Sequence, residues 1–375
     1  MHSTKDFFNQ LNTHYLKKLP FVVYRKPNDN IIKAFLQTDT ALLYTSEYQE
    51  QGFVFSPFSS LKRTVLFSTH KCTLLETSAN QFNFTKSSPT QSPTFKIGEK
   101  EDHIARVQNA IDTIKNSSLK KVVISRVQEL PLSGHDPLEV MQRMVDRYAS
   151  AFAYCWYHPK VGLWLGATPE TFFRLTGKQI ETMSLAGTID LQKNDTRSWR
   201  NKELEEQQIV TDYIIEKLNI AGVEKVTGTP AESHQAGNLL HLKSKITGRL
   251  DNSHLKNIVD VLHPTPAVCG FPTKIAQQFI YEHEGYDREF YTGFLGELNL
   301  TSSKPRSDRR QNIENQVYRS VKTTTDLFVN LRCMQWRDLT AYVYVGGGIT
   351  ALSDAEAEWE ETLSKSATMA DVMVK

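Results

Sequence analysis

The chain has 375 residues, with 44 Lys and Arg set against 42 Asp and Glu, so its formal net charge is only +2. So balanced a charge leaves no basic footprint for nucleic acid and no field to hold the chain on an anionic membrane surface. Apolar residues at 39% and charged residues at 23% are ordinary for a globular protein of one large or two smaller domains.

Met1–Lys18 is polar and mixed in charge, without the apolar stretch of a signal peptide. Short strand-like pieces follow at Phe21–Tyr24 and Gly52–Phe55. Thr85–Thr94 reads as an exposed connection, because its Ser, Thr and Pro punctuate rather than pack. Ile104, Val107, Ile111 and Ile114 recur at helical spacing, and Lys121–Arg126 is then a buried strand. Ala151–Tyr157, Val161–Leu165, Thr171–Leu175 and Gln179–Met183 are short strands with tight turns, which favours antiparallel pairing. The first of these is the longest apolar run and is far too short to cross a bilayer. Helices at Trp199–Leu218 and Ser353–Met369 are separated by strands at Asp326–Arg332 and Ala341–Val345. Strands in runs with helices between them predict an α+β fold rather than a doubly wound α/β one. Cys72, Cys155, Cys269 and Cys333 lie far apart with no CxxC pair, and read as reduced thiols of a cytoplasmic protein.

Some residues sit where their chemistry needs explaining. Glu206 shares a helix face with Ile209, Val210 and Tyr213, so its carboxylate must be paired, protonated or metal-bound; a salt bridge, for instance with Lys202 one turn earlier, is the ordinary reading. Ser353 and Glu356 resemble a capping box, after which Glu358, Glu361 and Lys365 lie along one stripe. Such a stripe is either a solvated charged face or a pair of oxygen ligands for a hard cation such as Mg²⁺. Gly346-Gly347-Gly348 ends the preceding strand, where consecutive glycines form a tight turn or offer N–H groups to an anion. Arg332 ends its strand on the face of Phe328 and Asn330, as a carboxylate clamp or a structural ion partner. Lys121 is a solvated strand edge or, if desolvated, a base. Glu170, in the turn Gly166–Glu170, is an acid only if its surroundings raise its pKa.

Together, and in this order, Lys121–Arg126, Gly166–Glu170, Leu185–Thr188, Glu206–Val210, Leu262–Pro272, Asp287-Arg288 through Gly296, Arg332-Cys333, Gly346–Gly348 and Glu358–Thr362 with Lys365 resemble the chorismate-binding enzymes, nearest to the isochorismate synthases. The resemblance runs from about Lys100 to the C-terminus. It implies one α+β unit of two stacked antiparallel β-sheets flanked by helices, the fold of anthranilate synthase component I. Residues 99–375 would be the catalytic core and 1–98 a variable N-terminal part of the same unit. It implies Mg²⁺ held by Glu206 and Glu361, with Glu358 nearby, and substrate held by Gly187, Thr188, His241, Ala267, Arg332, Gly346, Gly347, Gly348 and Lys365. Chorismate and isochorismate are the expected small-molecule partners, with no glutaminase subunit, no nucleic acid and no membrane.

Within the family, Lys121 stands where ammonia-using members have glutamine, and Ala186 where aminodeoxychorismate synthases have a nucleophilic lysine. Both point to Mg²⁺-dependent hydration of chorismate at C2 with loss of the C4 hydroxyl, Lys121 as general base and Glu170 as general acid. Gln207 departs from the family, which often has histidine there. A salicylate synthase, an anthranilate synthase component I and an inactive chorismate-binding protein stand as the alternatives, and the product could serve menaquinone or siderophore biosynthesis.

Overall fold

The computed structural model describes residues 3–79, 98–132, 134–190, 199–236, 239–251, 254–304 and 320–373. The connection expected at Thr85–Thr94 lies outside the described residues. The chain opens with α1 (Thr4–Leu16), β1 (Phe21–Arg25), β2 (Ile31–Gln37), β3 (Tyr44–Thr45), β4 (Gly52–Ser56), β5 (Thr64–Ser68) and β6 (Cys72–Ser78). Next come α2 (Glu99–Asn116), β7 (Lys121–Pro131), α3 (Pro137–Arg147), β8 (Phe152–His158), β9 (Gly162–Thr168), β10 (Thr171–Thr176) and β11 (Gln179–Asp190). They are followed by α4 (Asn201–Ile220), β12 (Glu224–Gly228), β13 (Glu232–Ala236), β14 (Leu239–Arg249), α5 (Leu255–Leu262), β15 (Gly270–Phe271) and α6 (Thr273–His283). The last elements are β16 (Phe294–Lys304), β17 (Ser320–Val329), β18 (Cys333–Arg337), β19 (Thr340–Ile349) and α7 (Ala355–Met373).

Two antiparallel sheets result. One runs β15-β7-β19-β18-β9-β8-β1-β2-β6, the other β12-β14-β11-β10-β17-β16-β4-β5-β3, with β13 added along β14. The N-terminal strands are thus not a separate unit: β1, β2 and β6 extend the first sheet, and β3, β4 and β5 the second.

Strand β1 shows why the strands read as apolar runs rather than as alternating ones. Its side chains still alternate between faces, but both faces are buried. Phe21 and Val23 pack with Phe7 and Leu11 of α1 and Met141 of α3, while Val22 and Tyr24 turn into the space between the sheets. There Phe55 stacks on Phe290 at 4.2 Å and Phe152 on Phe328 at 4.3 Å. Each such ring contributes about 1.5–3 kcal/mol by leaving water. A second core joins α4 and α5 to the other sheet through Val210, Ile214, Ile246 and Ile258. Among the described residues no helix is long and apolar enough to cross a membrane.

Candidate active site

A cavity enclosing about 740 Å³, its mouth included, opens where β7, β19 and α7 face β11, β14 and α4. Ten of the fourteen residues singled out in the sequence line it: Glu170, Gly187, Glu206, His241, Ala267, Arg332, Gly346, Gly348, Glu361 and Lys365. The backbone of Thr188 lies in β11 beside Gly187, and its side chain lies outside the described residues. Lys121, Gly347 and Glu358 do not line it, but Lys121 and Glu358 lie close against the glycine strip that does.

Lys121 is no solvated strand edge. Its side chain is fully buried, and Nζ lies 3.0 Å from Glu206 Oε1. An ion partner of Glu206 is therefore on β7; the side chain of Lys202 lies outside the described residues. Helix α4 is aimed by the neighbouring residue: Gln207 Nε2 donates to Ser184 Oγ of β11 and Ser244 Oγ of β14, each at 2.9 Å. A hydrogen-bonding residue at the family's histidine position thus fastens the helix that carries Glu206.

The three glycines do not form a turn. They belong to β19, paired with Ser125, Ile124 and Val123 of β7. On the other side β18 begins opposite Tyr344, so among the described residues β19 has no strand neighbour there beyond that residue. The glycines clear space for carboxylates. A Cβ on Gly348 would come within 2.2 Å of Glu206 Oε1 and 3.0 Å of Lys121 Cε. On the opposite face, a Cβ on Gly347 would lie 2.9 Å from Glu358 Oε2 and 3.9 Å from Glu361 Oε1.

Helix α7 is not started by the expected capping box. Asp354 Oδ1 accepts from the Ala357 N–H at 2.9 Å, as an N-cap does, and Glu356 pairs with Lys100 instead. Ser353 is left to donate to Glu358 Oε1 at 2.8 Å, which fixes that carboxylate. One turn on, Glu361 Oε1 meets Lys365 Nζ at 2.6 Å, and the same ammonium donates to the Gly346 carbonyl at 2.9 Å.

Arg332 does not end a strand, because β17 stops at Val329. It sits in the following turn with φ +47°, a left-handed conformation that costs a non-glycine residue about 1–3 kcal/mol. Its Nη1 donates to Thr368 Oγ1 of α7 at 2.9 Å, while the side chain lines the cavity. Gly187 also has positive φ, +73°, and a Cβ there would stand 3.0 Å from Glu203 Cβ of α4. Its carbonyl lies 3.0 Å from His241 Nδ1. A carbonyl only accepts, so the ring proton is on Nδ1. Burial, with Arg332 and Lys365 nearby, pushes the pKa of His241 down to about 3 and keeps the ring neutral.

Glu170 shows the reverse. Burial pushes its pKa up to about 8, against the opposing pull of Lys121 and Lys365. Its carboxyl is therefore mostly protonated at neutral pH. Glu206, Glu358 and Glu361 offer only oxygen, gathered around a strip of backbone without Cβ atoms, a donor set that fits a hard cation. Among the described residues no three His, Cys, Asp or Glu side chains form a ready-made cage. Lining residues that the sequence reading missed include Val123, Leu185, Val268 and Tyr291. Tyr291 lies inside the Asp287–Gly296 motif, which was the available signal.

Residues 53–303 match a profile described as chorismate binding enzyme, and residues 316–371 match a second of the same description. The chain belongs to the chorismate-binding enzyme family. It is 28% identical over 286 residues to the salicylate biosynthesis isochorismate synthase of Pseudomonas aeruginosa, a match covering 73% of this chain and 55% of that protein. The chain thus spans little more than half the length of that relative. Its fold is that of MenF, the menaquinone-specific isochorismate synthase of Escherichia coli (TM-score 0.73, 20% identity, 94% of this chain and 88% of that one). Anthranilate synthase component I from Streptococcus pneumoniae is also similar in fold (TM-score 0.60, 17% identity, 93% and 90% covered). The expected fold, two stacked antiparallel sheets flanked by helices, is the observed one.

Proposed function

We propose that the chain is an isochorismate synthase, adding water at C2 of chorismate while the ring double bonds shift and the C4 hydroxyl leaves. The observation that carries this reading is Glu170, a buried carboxyl whose pKa is raised to about 8 within a cavity that also holds Arg332 and Lys365. Hydroxide is a poor leaving group, so the C4 oxygen must receive a proton as its bond to carbon breaks, and Glu170 carries one at neutral pH. Lys121 Nζ is the group to take a proton from the attacking water. It is ion-paired with Glu206, so acting as a base requires that pair to open. Arg332 and the N–H groups of Gly346–Gly348 hold the enolpyruvyl carboxylate. Gly187 and Thr188 lie on the ring-carboxylate side, and His241 and Ala267 border the ring. A neutral His241 adds no charge there. Glu206 and Glu361, with Glu358 held by Ser353, would ligate Mg²⁺. When bound, the ion would neutralise and orient the ring carboxylate.

The test is product chromatography after incubation of the purified chain with chorismate and Mg²⁺, without ammonia. Isochorismate is the expected product. Salicylate with pyruvate as the main products would make the chain a salicylate synthase, and conversion to anthranilate only with ammonia would make it an anthranilate synthase component. EDTA should stop turnover reversibly; full activity in metal-free buffer would remove the metal from the reading.

A further inference from the structure

The Asp287-Arg288 pair belongs to the family-like motifs, yet neither side chain lines the cavity. Arg288 is nevertheless among the largest fully buried side chains, and its guanidinium spends every donor it has. A guanidinium carries five N–H groups in a rigid plane. Here Nε donates to Glu284 Oε2 at 2.7 Å and Nη2 to Glu284 Oε1 at 2.5 Å. Nη2 also donates to the Val123 carbonyl at 2.7 Å, and Nη1 to the Val268 carbonyl at 2.9 Å and Thr292 Oγ1 at 3.3 Å. Phe58 closes one face of the plane, 4.7 Å from its carbon.

Apart from Glu284, the receiving groups belong to three separate walls of the cavity, Val123, Val268 and Thr292. Val123 is two residues along β7 from Lys121 and on the same face of the strand. Val268 follows Ala267 in the turn closed by Thr265, whose carbonyl accepts from the Val268 and Cys269 N–H groups. Thr292 follows Tyr291. Glu284 tightens the first of these walls from behind: its Oε1 accepts from both the N–H and the Oγ–H of Ser125, each at 2.7 Å.

A buried ion pair is poor evidence for stability, since desolvating both charges offsets their attraction. What a saturated planar fork supplies is geometry. We infer that Arg288 is a positioning residue that sets the Lys121 strand, the Ala267 turn and the Tyr291–Thr292 wall at the spacing the reaction needs. This rests on the assignment of Lys121 as base.

Two variants separate positioning from bulk stability. Arg288→Lys keeps the charge but has three donors for five acceptor contacts. Arg288→Met with Glu284→Gln removes both charges, so no lone buried ion is left to unfold the chain. With folding checked by circular dichroism, both should lose kcat by about tenfold to a hundredfold while KM changes by less than about threefold. Amide hydrogen exchange should quicken in residues 121–125 and 265–269 and stay unchanged in the distant strands β1 and β2. Wild-type kcat with only a lower melting temperature would overturn the inference, and so would a raised KM at constant kcat. Faster exchange in those two segments, in a chain that never converts chorismate, would sink the functional reading and leave the positioning role standing.

Discussion

Two buried glutamates of this protein have opposite fates. Glu297 of β16 is answered from all sides: Tyr24 donates to it at 2.6 Å, and Lys26 and Lys33 pair with it at 2.6 and 3.1 Å. Burial alone would raise its pKa, but Lys26 and Lys33 outweigh that and hold it below the ordinary carboxylate value. Glu170 is buried as deeply, and the lysines that oppose its burial are engaged elsewhere, Lys121 with Glu206 and Lys365 with Glu361. Its pKa rises to about 8. The same residue type, buried in both places, is held ionised in one and protonated in the other. The difference lies in which partners the fold delivers.

The sharpest way to break this comparison is through turnover. Glu170→Gln and Lys121→Ala should each lower isochorismate formation by about 10²–10⁴-fold, with chorismate binding close to wild type by calorimetry. Each should lose the reverse reaction by the same factor, since a catalyst cannot move the equilibrium. Near-wild-type rates in either direction would return that residue to a structural role.

Glu297→Gln should do the opposite. Removing one member of a buried charge network costs roughly 3 kcal/mol, read as a lower denaturation midpoint, with kcat within about twofold of wild type. Because the folded pKa of Glu297 is lowered, its contribution is present above the ordinary carboxylate pKa and is lost as pH falls through the folded value. A large fall in kcat without loss of stability would contradict the division drawn here.

A smaller effect sharpens the contrast. The folded pKa of Glu170 is raised, so folding favours its protonated form. Stability is then unaffected below the ordinary pKa of 4.5 and declines as pH rises toward about 8. Glu170→Gln removes that cost and should stabilise the inactive protein by on the order of 1–3 kcal/mol at pH 7. Denaturant titrations at pH 5 and pH 8 check it. A variant no more stable than wild type at pH 8 would mean that Glu170 is not held protonated by burial.

Much of this was legible in the residues. The α+β class follows from strand runs with helices between them, and Glu206 on an apolar helix face announced a carboxylate that needed a partner. Local periodicity carries such information because it reports which face of an element is buried. It does not report what lies opposite. Nothing near Glu206 in the chain names Lys121 as its partner, and nothing near Glu297 names Tyr24, Lys26 or Lys33. Two local alternatives, the glycine turn and the serine cap, failed for the same reason. The glycines at 346–348 resemble a turn until β7 is placed beside them, and Ser353 resembles a cap until Asp354 takes the helix N–H and frees it for Glu358. Residue types and their order determined the fold class and the set of candidate groups. Ionisation, pairing and the shape of the cavity were decided only by tertiary structure, because desolvation and Coulomb energy depend on distances between residues that the chain keeps far apart.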